Sequence, residues 1–152
     1  MLIPPGHQIT PTYIARGVAL LNTYTNIALV STWGQIYGES KAIQSTLTAH
    51  LPTALLTSCL NEVCIGKKDI IESAYCTHAL SQAQAFAATS IALLLNGYTS
   101  VCIPEILSFS RKKPLTENIF DKTFYTYLRD THPEIIEKYA LELLQILNEN
   151  KQ

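Results

Sequence analysis

Apolar residues recur at helical spacing along nearly all of this chain. Between residues 67 and 95, Ile70, Ala74, Leu80, Ala83, Ala87, Ile91 and Leu94 stand mostly three or four apart in an alanine-rich run, a pattern that lines one helix face and favours close packing. Ile14, Val18, Leu21, Thr25 and Leu29 repeat the spacing behind Thr10-Pro11, a capping residue followed by proline at the first helical position. The expectation is a helix over residues 11–33, ended by the break that Gly34 and Gly38 bracket. Shorter helices are expected over 40–50, with Ile43 and Leu47 on one face, and over 52–60. Pro114 and Thr116 open another, with Phe120, Phe124 and Leu128 on its apolar side, and a final helix presents Ile135, Tyr139, Leu143 and Leu147. Thr131 with Glu134 three residues on has the form of a capping box. No segment alternates convincingly as a strand. The spacing predicts an all-α fold, a compact bundle of about five to six helices forming one domain over residues 1–152.

A chain of 152 residues buries roughly two-thirds of its unfolded surface, so neither metal nor disulfide is needed merely to fold it. Only 15% of its residues are charged and 47% are hydrophobic, against about 25% charged in ordinary domains. A thinly charged surface follows. With a net charge of −1 there is no basic footprint for nucleic acid, and Arg111-Lys112-Lys113 is too short to supply one. Residues 13–33 approach the length of a membrane span, but Arg16, Asn22, Thr23, Thr25 and Asn26 interrupt them, which favours a buried helix. The opening "MLIPPGHQITP" lacks the features of a secretory signal, leaving a cytoplasmic chain or a mature one whose signal has been removed.

Four cysteines, Cys59, Cys64, Cys76 and Cys102, allow three complete pairings without requiring any. Four reduced core thiols fit equally well. Cys59 and Cys64 have no matching Cys/His pair at ligand spacing, and Cys76 and His78 diverge by about 200° around a helix. His132 as a base for Cys76 or Cys102 would need proximity through space, and no nucleophile motif surrounds either. No phosphate loop, serine elbow or carboxylate pair is present. The residues point to no catalytic, metal or cofactor site, and to a protein that is not an enzyme.

The second half carries, in order, a cysteine opening a helix ("AYCTHALSQAQAF"), "CIPE", an amphipathic helix ending in "YLRDTHPE", and a last apolar helix. Over residues 58–147 this resembles the Rap/Tai family of small helical immunity proteins. The match rests on Cys76, Cys102, Ile103, Pro104, Glu105, Tyr127, Leu128, His132, Pro133 and Glu134, with Leu143 and Leu144 in the last helix. The chain departs from the family in lacking the glycine after Cys76 and the cysteine near the C-terminus, and residues 1–57 stand as an extension of unknown role.

The resemblance implies a non-catalytic periplasmic protein that binds and sterically blocks a type VI secretion effector, a peptidoglycan amidase. It implies a Cys76–Cys102 disulfide, with Cys59–Cys64 as a second bridge, in an oxidising compartment. An unbroken helix from Cys76 to Asn96 would rise about 30 Å, while the six residues back to Cys102 span at most about 21 Å, so that bridge requires the helix to break near Thr89-Ser90. Glu105, Arg111, Lys112 and Lys113, where the chain turns from apolar to charged, are the candidate partner contacts. The other reading is a cytoplasmic helical adaptor or regulator with reduced cysteines that binds a partner protein or homodimerises; sparse charge makes a homodimer reasonable in either case.

Overall fold

The computed structural model describes residues 6–38, 42–46, 48–57, 63–75, 80–111 and 119–149, with side chains up to Leu141. The chain is α/β, not all-α: helices pack on both faces of a five-stranded mixed sheet. In order the elements are β1 (His7–Ile9), α1 (Pro11–Thr23), β2 (Ile27–Ile36), β3 (Ala42–Gln44), α2 (Leu51–Ala54), β4 (Ile65–Gly66), α3 (Lys68–Ala74), α4 (Gln82–Leu95), β5 (Thr99–Ser110), α5 (Lys122–Thr131) and α6 (Pro133–Glu149).

Thr10 caps α1 as expected, its hydroxyl accepting from the Tyr13 N–H at 3.2 Å, with Pro11 in the first turn. The helix stops at Thr23, however, and the second half of the expected helix is strand β2. Its sequence, IALVSTWGQI, is rich in β-branched side chains, which suit a pleated surface. Residues 27–32 are all buried, because helices cover both sheet faces; a strand buried on both sides shows a continuous apolar run instead of alternation. That is why its period could not be seen.

The sheet order is β1-β5-β2-β3, with β4 also pairing with β2. β2 and β5 run parallel and the other pairs are antiparallel. Leu29 packs with Ala74, Ala92 and Leu93, whereas its neighbour Val30 packs with Tyr13 and Leu21. Successive strand residues face opposite sides, so α1 covers one face and α3 and α4 cover the other. Behind α4 lies a further layer, in which Ala87, Ala88 and Ile91 meet Phe124, Leu128 and Ile135 of α5 and α6. α4 is therefore buried from Ala87 to Leu93, as expected of a helix that is apolar all round. No helix among the described residues is long and apolar enough to cross a membrane.

The helix expected over 67–95 is two helices. α4 starts at a capping box of Ser81 and Gln84 and continues through Thr89 and Ser90, whose hydroxyls donate to the carbonyls of Ala85 at 2.7 Å and Phe86 at 3.1 Å. Such bonds to the preceding turn leave the helix intact. The break lies upstream, between Ala74 and Ser81. Thr131 is the last residue of α5, not the cap of α6, and donates to the Tyr127 carbonyl at 2.8 Å.

β5 holds a proline where a central strand normally excludes one. Thr32 pairs with Ile103 but Trp33 pairs with Ile106, so Pro104 and Glu105 form a bulge, and the Thr32 hydroxyl donates to the Glu105 carbonyl at 2.6 Å. On the α1 side, Tyr13, Gly17 and Leu21 are the buried stripe. The fully buried Tyr13 hydroxyl donates to the Val30 carbonyl at 2.7 Å and lies 3.3 Å from that of Val63, tying helix, strand and the approach to β4 together.

Candidate functional site at the open end of the sheet

The parallel strands β2 and β5 finish level, with Ile36 opposite Ser110. β1 and β3 begin at the same end, where His7 pairs with Ser110 and Ala42 with Ile36. The Tyr37 N–H donates to the Ser110 carbonyl at 2.8 Å, extending the pairing one residue past β2. Carboxyl ends of parallel strands are where open α/β sheets leave room for ligands, because the chain must turn away there.

Gln8, Phe109 and Gln35 are cross-strand partners in one row. Two residues further along their strands stand Arg111 and Tyr37. Together Gln8, Phe109, Tyr37 and Arg111 line a shallow, wide-open cleft of about 470 Å³. The Arg111 guanidinium carbon sits 5.9 Å from the centre of the Tyr37 ring, within range for a cation–π contact. The Thr10 N–H donates to the Leu107 carbonyl at 3.0 Å, which fixes the N-terminus of α1 close to the Phe109 end of β5. A helix N-terminus carries partial positive charge.

The structure separates the candidate contacts. Arg111 lines the cleft, whereas Glu105 stands in the bulge, its Oε1 accepting from Arg16 Nη1 at 2.6 Å. Five residues of β5 lie between them, six steps along the chain or about 20 Å. Both members of the Arg16–Glu105 pair are about half exposed, so it contributes little to stability. The segment "IPEILSFS", which carries Glu105 and leads to Arg111, is part of strand β5. Lys112 and Lys113 lie outside the described residues.

The disulfide expectation is corrected in the same way. Cys64 and Cys102, one from each expected bridge, are free thiols; Cys59 and Cys76 lie outside the described residues. Cys64 is buried beside Ala28, Leu29, Ala92 and Leu93, and burial pushes its thiol up to about 12. Cys102 is half-buried on β5, its Sγ 3.2 Å from the Thr46 hydroxyl. The carbonyl of Thr46 in turn accepts from the Trp33 indole at 3.2 Å. The cysteine two residues before a proline thus helps hold the segment after β3 over the sheet.

Sequence reasoning found Arg111 by the change of charge but missed Gln8, Tyr37 and Phe109. Their grouping depends on pairing between strands some 70 to 100 residues apart, and no local signal announces it. No family model matches the chain, and no curated protein is significantly similar to it.

Proposed function

We propose that this protein works by binding a protein partner rather than by catalysis, and that the partner docks on the open end of the sheet. The observation that carries the proposal is the cleft in which Arg111 lies over Tyr37 beside Phe109. Arginine and tyrosine are among the side chains most enriched at the energetic centres of protein interfaces, and here Tyr37 directly follows β2 and Arg111 directly follows β5. A pre-organised surface loses little entropy on binding.

The motifs of the second half direct the choice of partner to a secreted effector, an amidase first, which the protein would occlude. That choice rests on the motifs alone, since the helical architecture that accompanies them in the family is not the one found here. With Cys64 and Cys102 free, the disulfide argument for an oxidising compartment no longer applies, and location follows from the partner: the periplasm for an amidase, the cytoplasm for an adaptor's target.

The test is co-expression with each secreted effector encoded beside the gene, followed by titration of the purified pair. Wild-type protein is expected to restore growth and bind saturably, and Arg111→Glu and Tyr37→Ala each to weaken binding by about tenfold or more. No binding to any such effector removes the effector-blocking form, and unchanged affinity in both variants removes the surface.

A further inference from the structure

Resting on that surface, we infer that the cleft takes a carboxylate: an aspartate or glutamate of the partner, held against the two aromatic rings. Its described lining includes Arg111, Gln8 and Tyr37, side chains that carry mostly hydrogen-bond donors. No acidic side chain is among them. Among the described residues Arg111 has no carboxylate within ion-pair distance, its recorded contact being the Tyr37 ring. The other arginines differ in this: Arg16 is engaged by Glu105 and Arg129 by Asp130.

Geometry favours a planar anion. A guanidinium presents parallel N–H groups that match the two oxygens of a carboxylate, and the Tyr37 ring, 5.9 Å from the Arg111 guanidinium carbon, lies at the outer edge of cation–π range. Phe109 and Tyr37 supply apolar walls for the methylenes of the bound side chain. Among the described lining residues a lysine or arginine of the partner meets the like charge of Arg111 and no carboxylate, so the sign of the site favours an anion.

The experiment uses the full chain, isotopically labelled, and follows backbone, arginine Nε and glutamine amide NMR signals. The probes are a hexaglutamate peptide, a hexalysine peptide and inorganic phosphate. Hexaglutamate is expected to give saturable shifts centred on Gln8, Tyr37, Phe109 and Arg111. Those shifts weaken with added salt and fall by about tenfold or more in apparent affinity in Arg111→Gln. Arg111 is exposed at the strand end, so the variant is expected to fold, which its unchanged spectrum elsewhere would verify. The inference is overturned if hexaglutamate gives no saturable shift there, if the shifts centre on Arg16 or Lys67, if Arg111→Gln binds equally well, or if phosphate binds more tightly than the peptide. Effector binding that depends on Arg111 without any response to hexaglutamate leaves the docking surface standing and rejects the carboxylate. A peptide response combined with Arg111-independent effector binding does the reverse.

Discussion

Cys64 and Cys102 differ in chemistry because they differ in burial. The Cys64 thiol, enclosed by aliphatic side chains and pushed up to about 12, has almost no thiolate at neutral pH and no path for a reagent. Alkylation of the folded protein, followed by peptide mass mapping, is expected to label Cys102 well before Cys64, and Cys64 at the rate of unfolding. The same shift sets a pH dependence. In the unfolded chain this thiol ionises near 9, in the folded one near 12, so above pH 9 the unfolded state holds fewer protons and stability falls as pH rises. Below pH 9 the thiol contributes no slope. Between pH 9 and 12 its share approaches about 1.4 kcal/mol per pH unit, and urea unfolding of Cys64→Ala should show a correspondingly shallower decline. Tyr13, raised by burial, steepens the upper part of this window in both proteins. Tyr13→Phe keeps the packing but removes the hydroxyl proton that the Val30 carbonyl accepts at 2.7 Å, at an expected cost of about 1–2 kcal/mol by urea denaturation.

Helix ends in this protein share their capping groups. Asp121 accepts from the Phe124 N–H at 2.9 Å to cap α5, and its other contact is the Gln84 amide at 3.0 Å. Gln84 closes the capping box of α4 through the Ser81 N–H and also donates to the Ile119 carbonyl. One carboxylate therefore joins the first turns of two helices. Asp121→Ala is expected to cost about 1–2 kcal/mol, and a double-mutant cycle with Gln84→Ala to show a coupling of at least about 0.5 kcal/mol; strict additivity would mean the two caps act independently. The helix starts at Thr10-Pro11 and near Pro133 were legible because a cap or proline is a local signal. The starts at Ser81 and Asp121 were not anticipated, although Ser81 with Gln84 carries the same box signature, because continuous apolar spacing upstream hid the break.

Across the whole molecule, α4 and the β2–β5 pair lie between the other layers, with α1 outside the sheet and α5 and α6 behind α4. Amide exchange is expected to be slowest in β2, central β5 and α4, and faster in β1 and β3, since protection follows burial. Equal protection throughout would contradict the layering. Local chemistry was enough to mark where several helices begin, to show that the chain is long and apolar enough to bury a core, and to single out Arg111. It could not distinguish β2 from helix or recognise β5 as a strand. A strand covered on both faces loses its alternation, and Ile27, Leu29 and Val30 satisfy either period. Nor could it predict that Pro104 is absorbed in a bulge. Only the assembled sheet brings Gln8, Tyr37, Phe109 and Arg111 to one opening and moves Glu105 to another, because parallel pairing sets their register and pairing between distant strands leaves no mark on the residues beside each one.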